Sequence, residues 1–128
     1  MQKGAVVEWL KAYMSAWESY SPDAIGALFS EDAAYSFHPY DKPVVGRQAI
    51  VDSWLKDPDA VGTFTANYKP IAIDGDTAVV NGRSTYFKDS SRTEVTKEWD
   101  NIFVIEFDKA GRCRSFREWY VAPRGQTD

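Results

Sequence analysis

The most informative stretch of the sequence is residues 95–107, which reads VTKEWDNIFVIEF. Its odd-numbered positions carry mostly large apolar side chains, and its even-numbered positions are mostly polar or charged. Such alternation is typical of a β-strand with one face against the core, because successive side chains point to opposite faces. We therefore expect a long strand over residues 93–107 with the odd-numbered face inward. On that face Asn101 is an isolated polar residue between Trp99 and Phe103.

A second strand follows at once. Residues 108–111 read DKAG, a turn sequence, and residues 112–121 again have the composition of a strand. A two-residue loop at the turn would give three inward pairs: Phe103 with Phe116, Asn101 with Glu118, and Trp99 with Tyr120. A bulge at Gly111 would instead shift the register by one residue and separate these pairs. The spacing leaves both registers open.

Two earlier strands form a predicted hairpin. Residues 63–73 and 77–87 both follow a period of two, and Asp74-Gly75 between them is a strong tight-turn sequence. A further short strand is expected over residues 33–37, where Pro39 ends it.

The first half of the chain is mainly helical in pattern. Apolar residues at helical spacing predict helices over residues 5–20 and 47–56. A short helix between them starts at Pro22, behind the capping residue Ser21, and buries Ile25, Leu28 and Phe29. Helices followed by a run of antiparallel strands predict an α+β fold.

Composition excludes several classes of protein. The 128 residues, with a net charge of −4, predict one domain over residues 1–128, with an ordered core from about 4 to 122 and a frayed tail over 123–128. The charge argues against nucleic-acid binding, and no stretch is apolar enough to span a membrane. A single cysteine, Cys113, and a single histidine, His38, predict no disulfide, no metal site and a reducing, cytoplasmic location.

Four stretches together resemble the nuclear transport factor 2-like superfamily, in its SnoaL-like branch. They are residues 21–35 (SPDAIGALFSEDAAY), 46–50 (GRQAI), 103–113 (FVIEFDKAGRC) and 118–120 (EWY). The resemblance implies a cone-shaped fold of three N-terminal helices packed in a strongly curved antiparallel sheet. It also implies an apolar pocket between helices and sheet and, often, a dimer through the outer face of the sheet. It supports an inward orientation for these residues: Asn101, Phe103, Phe116, Glu118 and Tyr120.

The superfamily contains ketosteroid isomerases, polyketide cyclases, dehydratases, epoxide hydrolases and non-catalytic binding domains, so the fold alone does not define an activity. Ketosteroid isomerases use one tyrosine and two acidic residues. Tyr13 matches the tyrosine, but Phe37 and Phe103 occupy the positions of the two acids. These differences argue against steroid isomerisation.

Four polar residues are candidates for catalysis, and each has a structural alternative. Burial among aromatic rings would raise the pKa of Glu118 and suit it to proton transfer. Glu118 could instead be a structural carboxylate bonded to Asn101 or Arg83, or face outward. His38 could be a base at the pocket mouth or a loop residue bonded to the backbone, and strand parity favours the loop role. Tyr13 and Asn101 could donate to a substrate or simply serve packing and Glu118.

Eight aromatic residues are predicted to line the pocket: Trp17, Tyr35, Phe37, Trp54, Trp99, Phe103, Phe116 and Tyr120. For Trp54, Tyr35 and Phe37 the alternative is a place in the core, which is the more common role of such residues. Two functions fit this site. One is an enzyme without metal or cofactor, acting as an isomerase, cyclase, dehydratase or hydrolase on an apolar carbonyl compound. The other is a non-catalytic ligand-binding or dimerisation domain. A homodimer is expected through four apolar residues of the outer sheet face: Ile102, Val104, Trp119 and Val121.

Overall fold

The computed structural model describes residues 1–127 and shows three helices and six strands in one chain. In chain order they are α1 (Lys3–Ser19), α2 (Pro22–Gly26), β1 (Phe29–Ser36), β2 (Val44–Val45), α3 (Arg47–Lys56), β3 (Phe64–Asp74), β4 (Thr77–Phe87), β5 (Val95–Phe107) and β6 (Cys113–Val121). Each predicted helix and strand is present, and the fold is α+β. Only α1 is a long N-terminal helix, and α3 comes after the first two strands.

The second helix is shorter than its sequence pattern suggested. Ser21 caps it, since its side chain accepts a hydrogen bond from the backbone N–H of Ala24. The helix ends at Gly26, and the backbone carbonyl of Leu28 already accepts from Cys113 in the sheet. Phe29, predicted as part of the helix, is therefore the first residue of β1 and is fully buried.

The sheet is mixed rather than antiparallel throughout, which corrects the prediction. Its strand order is β2-β1-β6-β5-β4-β3, and β1 runs parallel to β6 while all other neighbours are antiparallel. Tight turns in the sequence fix the direction only of strands that follow one another along the chain. No turn joins β1 to β6, so the direction of this pairing had no local signal.

The register between β5 and β6 differs from both predicted registers. The turn closes through a hydrogen bond from the Asp108 N–H to the Arg112 carbonyl, so its loop has three residues, with Gly111 at a φ of 81°. A bulge beside Phe107 then shifts the register again. The two one-residue shifts add up, so that Phe103 lies opposite Glu118 instead of Phe116. Since side chains alternate with a period of two, a total shift of two residues leaves each side chain on the face predicted for it.

The core fills the space between α1 and the inner face of the sheet. The inward odd-numbered face of β5 is confirmed, since Phe103, Ile105 and Phe107 are all buried. From α1, the ring of Trp9 meets that of Phe107 edge-on at a centroid distance of 5.7 Å, and Tyr13 reaches towards Phe103 at 5.8 Å. Aromatic rings therefore form most of the contact between helix and sheet.

The C-terminal tail is held in place as far as it is described. The backbone N–H of Glu98 donates to the Gln126 side-chain oxygen, and the Gln126 amide donates to the Glu98 carbonyl, both at 2.8 Å. These two bonds contradict the predicted fraying at this position. Asp128, the last residue of the predicted tail, lies outside the described residues. Across residues 1–127, none of the helices combines the length and apolar character that crossing a bilayer requires.

Gly82 of β4 is a point of close approach between strands. It lies opposite Tyr68 of β3, and a Cβ atom added to it would collide with the Asn67 carbonyl oxygen and the Tyr68 ring. Glycine at this position therefore allows the Asn67 carbonyl group and the Tyr68 ring to approach β4 closely.

We expect Gly82→Ala to lower the free energy of unfolding by about 1–3 kcal/mol, because the added methyl group overpacks the contact with Tyr68. Urea denaturation followed by circular dichroism measures this change. Gly4→Ala is the matched control, since Gly4 lies in α1 with no atom within 4 Å of the added Cβ, and alanine favours helix. Equal unfolding midpoints for the two variants would contradict the assigned close approach.

Candidate functional site

A cavity of about 440 Å³ lies between the helices and the inner face of the sheet. This volume is in the range of small-molecule sites. Nine of the twelve predicted site residues line it: Tyr13, Trp17, Tyr35, Phe37, Trp54, Trp99, Asn101, Glu118 and Tyr120.

Glu118 projects from β6 into this cavity. Its carboxylate oxygen Oε2 accepts a hydrogen bond from Nδ2 of Asn101 at 2.9 Å. Burial raises the pKa of the Glu118 carboxyl from 4.5 to about 7, and the Asn101 hydrogen bond opposes part of that rise. Arg83, the alternative partner considered from the sequence, instead pairs with Asp100 at 3.3 Å. No ion pair with Glu118 is found within residues 1–127.

Asn101 is itself held by two residues that the sequence analysis missed. Oγ of Ser84 donates to Oδ1 of Asn101 at 2.7 Å, and the hydroxyl groups of Ser84 and Tyr68 lie 2.6 Å apart. Both residues line the cavity, and Ser84 is buried. Strand parity could have found Ser84, because its inward neighbours in β4 include Ala78 and Val80. A serine on such a face is as unusual as the asparagine on β5.

A pair of tyrosines lines another part of the cavity. The hydroxyl groups of Tyr13 from α1 and Tyr35 from β1 lie 3.3 Å apart, and both rings are buried. Burial is the main cause that raises the pKa of both phenols, and the charge of Glu118 raises them further. Both hydroxyl groups therefore stay protonated at neutral pH. One of the two hydroxyl hydrogens is enough to form the bond between the tyrosines, so the other hydrogen is available to donate to a ligand.

The structure places His38 away from this cluster. Its Nδ1 accepts a hydrogen bond from the backbone N–H of Tyr40 at 3.2 Å, and its ring contacts Tyr120 at a centroid distance of 5.7 Å. His38 is not among the residues that line the cavity, whereas the neighbouring Phe37 is. Both residues come after β1, which ends at Ser36, in a turn where the backbone N–H of Asp41 donates to the His38 carbonyl.

Two of the eight aromatic residues predicted to line the cavity belong instead to the core beneath it. Phe103 and Phe116 are almost completely buried, lie 4.7 Å apart between ring centroids, and do not line the cavity. The ring of Tyr35 stacks on Phe116 at 4.4 Å. Trp54 does line the cavity, and its buried indole N–H has no acceptor in the described part of the chain.

A second polar cluster of the cavity wall was also missed. The Asp59 carboxylate accepts from the indole N–H of Trp17 at 3.1 Å and from the Tyr20 hydroxyl at 3.2 Å. The Tyr20 hydroxyl in turn accepts from the backbone N–H of Asp59 at 2.9 Å. These bonds fasten the loop after α3 to the end of α1. Nothing in the pattern of the loop sequence signalled this contact, because loops have no periodicity.

The cavity has few charged groups. Lys97 lies over the ring of Tyr86, 4.9 Å from its centroid, and Asp57 and Asp59 belong to the loop after α3. Within residues 1–127, no group of three or more potential ligand side chains could hold a metal ion. Around Glu118 itself, the hydrogen-bonding groups described above are neutral: the amide of Asn101 and the hydroxyl groups of Tyr13, Tyr35, Tyr68 and Ser84.

Comparisons with known proteins agree with this architecture. Residues 10–116 match the family model described as a SnoaL-like domain. Among solved structures, an "NTF-2 like protein of unknown function" from Burkholderia xenovorans LB400 is 15% identical, with a TM-score of 0.71, and the match covers 99% of this chain and 91% of that one. A "putative ketosteroid isomerase" from Kribbella flavida DSM 17836 is 13% identical, with a TM-score of 0.71 and coverage of 98% and 84%. No curated protein matches.

The raised pKa of Glu118 predicts a specific dependence of stability on pH. The folded protein holds the proton up to about pH 7 and the unfolded chain only to about 4.5. The extra stability is therefore complete below pH 4.5 and is lost as the pH rises through 7. Between pH 5 and 8 we expect a loss of about 2–3 kcal/mol from this group.

Urea denaturation at pH 5 and pH 8 measures this effect. Glu118→Gln should remove the corresponding part of the pH dependence, because glutamine does not titrate. Glu106→Gln is the matched control, since Glu106 lies on the outer face and pairs with Arg114. An identical pH dependence in wild type and Glu118→Gln would show that the carboxyl group is hydrated.

Proposed function

Because the chain belongs to the family of SnoaL-like domains, we propose that it is an enzyme without a cofactor that transfers a proton on an apolar carbonyl compound. Glu118 is the base, and Tyr13 and Asn101 are the neutral donors that accompany it. The reaction class includes isomerisation, cyclisation, dehydration and hydrolysis. The comparisons with solved structures support the fold, and the argument for activity comes from the cavity.

One observation carries this proposal: a carboxyl group lies in an aromatic cavity and has, among residues 1–127, a single hydrogen-bond partner, which is neutral. Its pKa of about 7 makes Glu118 a stronger base than an exposed glutamate, and about half of the molecules hold it ionised at neutral pH. A purely structural carboxylate would be expected to have a cation or several donors beside it.

The cavity suits proton abstraction from a carbon next to a carbonyl group. Glu118 would take the proton as the C–H bond breaks, and the electron pair would move onto the carbonyl oxygen. The uncommitted O–H of the tyrosine pair, Tyr13 and Tyr35, would donate to that oxygen as its negative charge develops. Return of the proton from Glu118 to a different carbon would complete an isomerisation and restore the base.

A non-catalytic binding domain is the second candidate. It is favoured by the fact that most polar groups of the cavity already bond to one another, as in the pairs of Tyr13 with Tyr35 and of Asn101 with Glu118. A ligand would then meet mainly the aromatic surfaces of Trp17, Trp54 and Trp99. Both candidates use the same cavity, and they differ in whether Glu118 exchanges protons with the ligand.

Hydrogen–deuterium exchange tests the proposal without knowledge of the natural substrate. We expect the wild-type protein in D₂O to accelerate exchange at the carbon next to the carbonyl of 2-tetralone or 2-cyclohexen-1-one, measured by proton NMR. Glu118→Gln should lower this rate by about 10²–10⁴-fold, because the base is lost. Binding of 2-tetralone, followed by tryptophan fluorescence, should be retained.

The matched control is again Glu106→Gln, which should exchange at the wild-type rate. Binding of these ketones without accelerated exchange would favour the binding domain over the enzyme. Failure of the ketones to bind at all would contradict an apolar carbonyl ligand in either form.

We also propose that the outer face of the sheet joins two copies of the chain. Trp119 of β6 lies directly opposite Ile102 of β5, and Val104 and Val121 lie on the same face. Trp119 and Val121 are both exposed, and the Arg117 guanidinium lies over the Trp119 ring, 5.5 Å from its centroid. A group of large apolar residues on an exposed sheet is typical of an interaction surface.

Light scattering at micromolar concentration should give twice the mass of one chain for the wild-type protein. Trp119→Ser should shift the equilibrium towards the monomer by removing the largest side chain of the face. Val61→Ser is the control, because Val61 is exposed in the loop after α3 and does not belong to this face. A wild-type protein that is monomeric at these concentrations would refute the proposed dimer.

A further inference from the structure

Three hydrogen bonds connect four neighbouring strands across the inner face of the sheet. They run from Tyr68 of β3 to Ser84 of β4 at 2.6 Å, from Ser84 to Asn101 of β5 at 2.7 Å, and from Asn101 to Glu118 of β6 at 2.9 Å. Each bond is diagonal, since the residues directly opposite Ser84 and Asn101 are Trp99 and Tyr120. We call these four residues the relay.

The donors and acceptors of the four residues determine in which direction the hydrogen bonds of the relay run. An ionised carboxylate can only accept, so Asn101 must present its NH₂ group to Glu118 and its carbonyl oxygen to Ser84. Ser84 has a single hydrogen, which it donates to Asn101, so it must accept from the Tyr68 hydroxyl. Each donor therefore points towards Glu118.

The opposite direction leaves the hydroxyl hydrogen of Tyr68 without an acceptor from the chain. If the Asn101 amide turned over, its NH₂ group would donate to Ser84 and Ser84 would donate to Tyr68. The Tyr68 hydroxyl hydrogen would then need another acceptor, and Tyr68 has no further hydrogen-bond partner among residues 1–127. A half-buried hydroxyl hydrogen without an acceptor from the chain is less favourable than a bonded one, so Tyr68 stabilises the direction that supplies a donor to Glu118.

From this geometry we propose that Ser84, supported by Tyr68, is a positioning residue that fixes the Asn101 amide and so maintains Glu118 in its proton-accepting form. Neither Ser84 nor Tyr68 transfers a proton to the substrate in this scheme. The proposal deepens the proposed function, because a base is useful only while it is ionised. It can be tested without an enzymatic assay, since it concerns the titration of a single carboxyl group.

The other titratable groups that respond to the charge of Glu118 stay neutral, so the Asn101 amide controls whether the Glu118 carboxyl group is ionised. The titratable side chains whose pKa values respond to the charge of Glu118 are phenols: Tyr13 from α1, Tyr35 from β1, Tyr68 from β3 and Tyr86 from β4. Burial raises the pKa of each, so all four stay neutral between pH 5 and 9.

Two of the three other charged groups that line the cavity contact residues other than Glu118. Lys97 of β5 lies over the Tyr86 ring, and Asp59 bonds to Trp17 and Tyr20. Asp57 also lines the cavity, and His38 lies outside it, bonded to the backbone of Tyr40. Among the described ion pairs none includes Glu118. Asn101 is the only hydrogen-bond partner of the Glu118 side chain within residues 1–127.

The test is to follow the Glu118 carboxyl carbon by NMR between pH 4 and 10 in Ser84→Ala. Without the Ser84 hydroxyl, the amide is free to turn its oxygen towards Glu118, which favours the protonated acid. We expect the titration midpoint to rise by about one pH unit, a tenfold change in the proton dissociation constant. Tyr68→Phe should shift it in the same direction by less, because Ser84 can still donate.

Thr85→Ala is the matched control, because Thr85 is the next residue of β4 and its hydroxyl bonds to Glu98 on the opposite face. It should leave the midpoint unchanged. A folded Ser84→Ala protein, judged by its amide spectrum, with an unchanged or lowered midpoint would overturn the proposal. If Ser84→Ala does not fold, Tyr68→Phe decides by the same criterion.

The two proposals can fail separately. A raised midpoint in Ser84→Ala with no exchange activity in the wild-type protein would support the relay and refute the enzyme. Normal exchange activity with no change of midpoint would support the enzyme and refute the relay. If both proposals hold, the exchange rate of Ser84→Ala should begin to rise at a higher pH than that of the wild-type protein. The size of this shift in pH should equal the change in the titration midpoint of Glu118.

Discussion

The hydrogen bond between Asn101 and Glu118 joins β5 to β6 inside the cavity, and a long series of local features is needed to form it. It requires both side chains to face inward, which the alternation of the two strands provides. It also requires a register in which they meet diagonally, and that register results from the three-residue loop and the bulge beside Phe107. A shift of one residue in β6 would turn Glu118 to the outer face.

Burial of this carboxyl group opposes folding at neutral pH, and the aromatic core compensates for it. The rings of Tyr35, Phe103 and Phe116 pack tightly behind the cavity and hold its polar residues in fixed positions. An apolar residue of similar size in place of Glu118 would raise the free energy of unfolding, so stability alone does not explain the glutamate. Retention of a costly group in a cavity large enough for a ligand is typical of functional sites.

Much of the fold followed from the periodicity of the sequence, and the remainder depended on contacts between distant segments. Helix and strand positions and the inward orientation of Asn101 and Glu118 all come from local patterns, although Asn101 lies opposite Tyr120 and meets Glu118 only diagonally. The parallel pairing of β1 with β6 joins segments far apart in the chain, so no turn could signal it. The bulge beside Phe107 is marked in β6 only by the three-residue step between the buried residues Cys113 and Phe116, which neither predicted register took into account.

The site could be predicted only where its residues differ from their neighbours. Asn101 and Glu118 are polar residues on an aromatic face, and parity was enough to identify them. Ser84 would have been found in the same way had β4 been analysed by parity. Asp59 lies in a loop, where identity and position carry no periodic signal, and only the fold brings it to Trp17.

The close approach at Gly82 also constrains how this sequence can diverge. A side chain at position 82 would first meet the backbone carbonyl oxygen of Asn67, and only then the Tyr68 ring. Exchange of the tyrosine for a small residue would therefore not make room for it, because the carbonyl group belongs to the ladder between β3 and β4. Relatives that keep this pairing of the two strands should keep the glycine, whether or not they carry the tyrosine whose hydroxyl supports Ser84.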